Sequence, residues 1–147
     1  MRRSDQRRDA VFASYQRDVT GRPLEELIAG ARPLTRELAE GVDAHREELD
    51  EIVASYAKGW TVERIAPLDL NVLRVALYEI EHGEVPYEVA IDEAVEIAKE
   101  YCGADAPKFI NGILGAVVRE REPANVSEGA PRSDSSRPSE REAGDVQ

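Results

Sequence analysis

Residues 67–83, PLDLNVLRVALYEIEHG, carry the pattern that determines the predicted fold. A proline at the first helical position and a glycine just past the last turn are typical helix boundaries. Apolar side chains lie on nearly every face of this helix: Leu70, Val72, Leu73, Ala76, Leu77 and Ile80. Because a helix that is apolar all round is normally surrounded by other elements, we predict that this segment lies at the centre of a helical bundle.

The segments on either side of this helix also show helical apolar spacing. Upstream, we predict a first helix capped by Ser4 or Asp5, a short bridging helix, and one long amphipathic helix from Leu34 to Lys58. Downstream, we predict a helix that ends at Gly103 and a last helix that Asp105 caps. No run alternates with period two for long enough to indicate a strand, so the predicted fold is all-α, a compact bundle of about seven helices.

Residues 123–147 differ in composition from the rest of the chain. They are rich in Pro, Ser, Gly, Glu and Arg, contain no aromatic residue, and have only valine among the larger aliphatic residues. Such a segment cannot bury enough apolar surface to fold. We therefore predict one helical domain over residues 1–122, with its last helix ending near Arg121, and a disordered polar tail over residues 123–147.

The charge distribution limits the classes of function. A formal net charge of −11 argues against a general nucleic-acid coat protein. Residues 1–17, however, hold five arginines against two aspartates, a local balance of +3. No apolar run is long enough to cross a membrane, and a lone cysteine, Cys102, cannot form an intramolecular disulfide. We expect a cytoplasmic protein without a membrane partner.

The chain shows little evidence of a catalytic or metal site. Glu79-x-x-His82 is the one fragment with ligand spacing, and a helical di-iron site would need that pair twice. Asp92, Glu96 and Glu100 share one helix face, which indicates a solvated surface or a contact with a basic protein. Cys102 is interpreted as an inert small apolar residue. We expect no enzymatic activity, no metal and no cofactor.

The N-terminal arginines have two interpretations. Arg2 and Arg3 fit a frayed basic leader, whereas Arg7 and Arg8 are adjacent within the first predicted helix. Tyr15 follows two turns later, so one element offers phosphate donors and an aromatic ring, the combination that single-stranded RNA recognition uses. The residues alone leave RNA binding and a purely structural role open.

Three blocks of sequence resemble the NusB family of bacterial transcription antitermination factors. They are VLRVALYEI at residues 72–80, VPYEVAIDEAVEIAK at residues 85–99, and KFINGIL at residues 108–114. Their order, preceded by the arginine pair and Tyr15, extends the resemblance from about Arg2 to Arg121.

The resemblance implies a bundle of about seven helices that acts by assembly. It implies binding of the boxA element of ribosomal RNA leader transcripts together with ribosomal protein S10, also called NusE, within an RNA polymerase antitermination complex. It also implies a role in RNA binding for seven residues: Arg3, Arg7, Arg8, Tyr15, Asp105, Lys108 and Phe109. Asp69 matches an acidic position on the family's partner-facing surface.

Other interpretations are compatible with the same residues. Asp105 could be only a helix cap, and Tyr15 and Phe109 could belong to the core. Ser4-Asp5-Gln6 departs from the more continuous basic run of the family, which weakens the expected phosphate affinity. The main alternative function is a protein-binding helical scaffold, or a homodimer, without RNA contact. The RNA-binding appendage of some ribosomal RNA cytosine methyltransferases ranks last, because no catalytic domain follows in this chain.

Overall fold

The computed structural model describes the backbone of residues 2–126 and the side chains of residues 2–121. Within this range the chain forms seven α-helices and one 3-10 turn, and no strand is present. The helices are α1 (Arg3–Thr20), α2 (Leu24–Leu27), α3 (Pro33–Ala44), α4 (Arg46–Tyr56), α5 (Pro67–His82), α6 (Tyr87–Tyr101) and α7 (Ala106–Val126); the 3-10 turn is Val62–Arg64. The predicted all-α class is confirmed.

The chain divides into two compact units, residues 1–115 and residues 116–147. The described part of the second unit is the end of α7, which is helical up to Val126. The last helix therefore extends beyond the predicted end near Arg121, and residues 123–126 are helical although we assigned them to the tail. Residues 127–147 of the predicted tail lie outside the described residues. No helix of the described chain is long and apolar enough to cross a membrane.

Helix α5 is the central element of the first unit, as its apolar sequence predicts. It contacts α1, α3, α4 and α6, and every residue from Leu70 to Leu77 is buried. Its bounds agree with the prediction from Pro67 and Gly83. Two charged residues, Arg74 and Glu79, are buried together with the apolar ones, so each requires a partner of opposite charge.

Arg74 finds its partners on two neighbouring helices. Its guanidinium donates to both carboxylate oxygens of Asp50 in α4, at 2.8 and 2.9 Å, and to Asp18 in α1 at 3.0 Å. Asp18 also accepts from Arg46 at 2.7 Å and from Asn71 at 3.2 Å. This cluster joins α1, α4 and α5 through charge-assisted hydrogen bonds.

The predicted long helix from Leu34 to Lys58 was wrong, because the chain forms two helices that meet at His45. At His45 the backbone leaves helical geometry, with φ −113° and ψ 23°. Its ring Nδ1 lies 2.9 Å from the carbonyl oxygen of Gly41, and the ring packs against Tyr78 and His82 at centroid distances of 5.6 and 4.6 Å. The apolar periodicity continues across the break, so it does not reveal the change of direction.

The start of α1 also differs from the prediction. The helix begins at Arg3, and neither Ser4 nor Asp5 caps it. Ser4 donates instead to Glu93 of α6 at 3.1 Å, and Asp5 accepts from Arg8. Ser4 thus has a tertiary partner, whereas Asp5 pairs with an arginine of its own helix.

Gly41 permits the close approach of α3 to α5. A Cβ added at Gly41 would overlap the aromatic ring of Tyr78. Gly112, also within a helix, would place an added Cβ in open space.

We expect Gly41→Ala to lower the free energy of unfolding by about 1–3 kcal/mol, the usual cost of overpacking. Gly112→Ala is the matched control and should raise it by about 0.5–1 kcal/mol, because alanine is the better helix former. Urea denaturation of both variants measures the difference. Equal effects would contradict the contact between α3 and Tyr78.

Candidate nucleic-acid interface

One face of α1 carries two of the side chains expected to meet RNA, Arg8 and Tyr15, together with Phe12, which was not predicted. Arg8, Phe12 and Tyr15 are spaced at i, i+4 and i+7, so they project within about 60° of one another around the helix axis. All three are partly exposed. The opposite face holds the buried residues of the helix: Gln6, Arg7, Ala10, Val11, Ala13 and Ser14. We call Arg8, Phe12 and Tyr15 the α1 face.

Arg7 is not a surface residue, in contrast to the prediction. Only 4% of its surface is exposed, and its guanidinium makes hydrogen bonds of 2.7 to 3.0 Å to both carboxylate oxygens of Glu79. Glu93 lies at 4.0 Å. Adjacent helical residues point about 100° apart, so Arg7 and Arg8 cannot share a face. The bond to Glu79 raises the pKa of Arg7 despite the opposing effect of burial.

Arg8 is accessible but already paired. Its side chain is 31% exposed and donates to Asp9 at 3.1 and 3.2 Å and to Asp5 at 3.4 Å. The hydrogen bond to Asp9 is the main cause of a raised Arg8 pKa, and the phenol of Tyr101 acts in the same direction. A phosphate would have to compete with these carboxylates for Arg8.

Two aromatic residues beside Arg8 were not singled out from the sequence. Phe12 packs edge-to-face against Tyr101, the last residue of α6, with centroids 5.0 Å apart and an interplanar angle of 85°. Tyr101 is 38% exposed. The i+4 spacing of Phe12 from Arg8 was available as a signal, whereas the position of Tyr101 depends on the docking of α6 against α1.

The expected residues at the start of α7 lie on the surface. Asp105 directly precedes the first residue of α7 and is exposed, which fits the N-cap position that we predicted. Lys108 is also exposed, whereas Phe109 is half-buried. The ring of Phe109 contacts Trp60 with centroids 6.2 Å apart. The described ring contacts thus place Phe109 with Trp60 rather than with the α1 face.

A shallow groove of about 480 Å³ runs between α6 and the start of α7. Its charged lining combines Asp92 and Glu96 with Lys99 and Lys108. Lys99 is paired with Glu96 at 3.4 Å. Asp92, Glu96 and Glu100, which we assigned to a solvated face, are exposed. The groove itself carries charges of both signs.

Asp69 is half-buried at the start of α5 and interacts with Cys102. Burial, and then the hydrogen bond to Asp69 and its charge, raise the pKa of the Cys102 thiol to about 12. The thiol is therefore protonated at neutral pH and donates to the carboxylate. Such a cysteine is a poor nucleophile, in agreement with its interpretation as an inert residue.

The residues with metal-ligand spacing have other partners in the structure. Glu79 holds Arg7, and the ring of His82 stacks on Tyr78 with centroids 4.8 Å apart. No group of three or more His, Cys, Asp or Glu residues that could hold a metal occurs in the described part of the chain.

Comparison with solved structures identifies the class of fold. The chain superposes on a NusB from T. maritima with a TM-score of 0.77 and 29% identity, covering 87% of this chain and 98% of that one. The same fold occurs in a structure of the antitermination factors NusB and NusE with double-stranded RNA, with a TM-score of 0.70 and 23% identity over 82% of this chain and 99% of that one. The fold is therefore that of the NusB helical bundle.

Sequence comparison identifies the family. The sequence model of the NusB family matches residues 4–119. A transcription antitermination protein NusB from Symbiobacterium thermophilum is 42% identical over 140 residues, which is 81% of this chain and 90% of that protein. The chain belongs to the NusB family.

We expect the two neighbouring arginines to differ in their effect on stability. Arg7→Met should lower the free energy of unfolding by about 3–5 kcal/mol, because Glu79 is left buried without its partner. Arg8→Met should change it by no more than about 0.5 kcal/mol. Urea denaturation provides the measurement.

A double variant controls for the loss of side-chain packing. Arg7→Met combined with Glu79→Met removes both buried charges and should recover most of the stability that the single variant loses. If the double variant were as unstable as Arg7→Met alone, the Arg7–Glu79 ion pair would not be the cause.

Proposed function

We propose that this chain is a transcription antitermination factor that binds boxA RNA of ribosomal RNA leader transcripts together with ribosomal protein S10 (NusE). Membership of the NusB family supports the proposal, as does the similarity of its fold to the NusB that was solved with NusE and RNA. The observation that carries it for this chain is the α1 face, where Arg8 lies beside the aromatic pair of Phe12 and Tyr101.

The seven expected RNA-binding residues take different roles in this proposal. Arg3, Arg8 and Lys108 reach solvent and can contact phosphates. Tyr15 and Phe109 offer partly exposed rings for bases. Asp105 lowers the local positive charge beside Lys108. Arg7 acts indirectly, because its bond to Glu79 fixes the rotation of α1 and so holds Arg8 outward.

The partner compensates for weak RNA binding by the chain alone. Because Arg8 is shared with Asp5 and Asp9 and the chain carries a charge of −11, intrinsic affinity for a polyanion is expected to be low. A second protein that binds the same RNA adds contacts without changing this chain. We propose Asp69 as part of the surface that meets S10, within an RNA polymerase antitermination complex in the cytoplasm.

This role requires assembly and no catalysis. The inert state of Cys102 and the pairing of Glu79 with Arg7 support a non-enzymatic function. The alternative is a protein-binding scaffold, or a homodimer, in which the α1 face never meets RNA. The observation that favours this alternative is the large number of exposed carboxylates, which would suit a basic protein partner.

We expect a labelled boxA-like single strand to bind with an affinity that S10 increases and salt decreases. If Arg3, Arg8 and Lys108 each contact a phosphate, the slope of log K against log salt is about −2, and Arg8→Ala makes it shallower by about 0.7. Fluorescence anisotropy at several salt concentrations, with and without S10, measures both quantities. Absence of binding in both conditions would favour the scaffold, and light scattering would then report whether it is a homodimer.

Asp9→Asn should strengthen RNA binding about two- to fivefold at low salt, because it frees Arg8 from its closest carboxylate while keeping the side-chain shape. Glu40→Gln is the matched control: it frees Arg36 on α3 from a comparable exposed pair of 3.2 Å. Anisotropy titrations compare the two variants. An equal gain for both would mean that only net charge matters and that Arg8 has no special position.

A further inference from the structure

Trp60 is the only tryptophan of the chain, and the fold leaves it on the surface. Its residue is 51% exposed in the connection between α4 and α5. In the part of the chain that the structure describes, the other large apolar residues exposed outside α1 are Val89 and Tyr101, at 37% and 38%. Burial of a tryptophan ring stabilises a fold, so the position of Trp60 outside the core calls for a physical reason.

The backbone on both sides of Trp60 is held by hydrogen bonds. Gly59 adopts a φ of +79°, in the left-handed region that glycine tolerates. The amide of Trp60 donates to the carbonyl of Ala57 at 3.0 Å, and the amide of Arg64 donates to the carbonyl of Thr61 at 2.9 Å. Trp60 therefore starts from a backbone position that turns fix on both sides.

Phe109 supports the indole from one side. The two rings meet edge-to-face, with centroids 6.2 Å apart and an interplanar angle of 63°. Phe109 is half-buried at the start of α7, so it links the exposed indole to the folded domain. The remaining surface of Trp60 is open to a ligand.

Three basic residues close in sequence to Trp60 or Phe109 make no ion pair with a carboxylate in the described chain. Lys58, Arg64 and Lys108 are exposed, and none of them pairs with a carboxylate among the side chains that the structure describes. By contrast, Arg8, Arg36 and Lys99 are each paired. The carboxylates closest in sequence are Glu63 and Asp105, so these segments hold three basic residues and two acidic ones in a chain of net charge −11.

We propose that Trp60, supported by Phe109, stacks on one base of a bound single-stranded RNA, and that Lys58, Arg64 and Lys108 contact the phosphates on either side. This inference rests on the proposed RNA-binding function and adds a base-binding position outside the α1 face. An exposed indole accepts any base by stacking, and nearby cations supply the backbone contacts that such sites require. A protein surface would use the same ring, but the three unpaired cations favour a polyanion.

The single tryptophan allows a direct test in the unmodified protein. Stacking of a base on Trp60 should quench its fluorescence and reduce its accessibility to acrylamide. The protein is titrated with an unlabelled boxA-like single strand, with and without S10, and the signal of S10 alone is subtracted. Anisotropy of a labelled strand reports total binding in parallel.

Variants separate stacking from simple apolar contact. Trp60→Leu keeps apolar volume without a π surface and should weaken RNA binding about tenfold, as expected for the loss of one stacked base. Trp60→Phe keeps a ring and should bind within about threefold of the unmodified protein. Val89→Ala, at another exposed apolar position, should have no effect. Thermal unfolding checks that each variant is folded.

The outcomes distinguish this inference from the function on which it rests. Binding by anisotropy without quenching, or equal affinities for Trp60→Leu and Trp60→Phe, would overturn the stacking site and leave RNA binding intact. Quenching by S10 without RNA would assign Trp60 to a protein contact and also overturn the site. No binding with or without S10 would remove both the proposed function and this position.

Discussion

The structure depends on the requirement that the two buried charges of α5 be paired. Arg74 and Glu79 lie five residues apart on a helix that other helices surround, so neither can be solvated by water. Both find partners on α1: Asp18 binds Arg74 near one end, and Arg7 binds Glu79 near the other. Two ion pairs at separate points set the antiparallel direction of α1 along α5 and its rotation about its own axis.

That rotation determines which arginine reaches solvent. With Arg7 held inward by Glu79, the neighbouring position must point about 100° away, and Arg8 emerges on the face that also carries Phe12 and Tyr15. Tyr101 of α6 then completes an aromatic surface beside Arg8. The interior pair and the candidate interface are thus two consequences of the same constraint, and a change at Arg7 would affect both stability and the exposed face.

The exposed cations of the domain fall into two kinds. Arg8 is accessible but shared with two carboxylates, whereas Arg3, Lys58, Arg64 and Lys108 make no ion pair within the described chain. A polyanion can therefore meet unshared positive charge at Arg3 and close in sequence to Trp60, and must displace a carboxylate at Arg8. This distribution explains how an acidic protein can present phosphate-binding positions. Salt largely screens charges that are more than about 8 Å apart, so the carboxylates close to a cation affect it more than the net charge of the chain does.

Much of the fold was predictable from local pattern, whereas the orientation of the site was not. The apolar sequence of residues 67–83 predicted a central helix with the bounds that are observed, and Asp105 predicted the start of α7, because proline, glycine and capping residues act over a few neighbouring positions. Only the tertiary structure broke the predicted long helix at His45, turned Arg7 inward and placed Trp60 against Phe109. Each of these depends on a partner distant in sequence, Tyr78, Glu79 or the start of α7, and periodicity along one helix contains no information about which distant side chain it will meet.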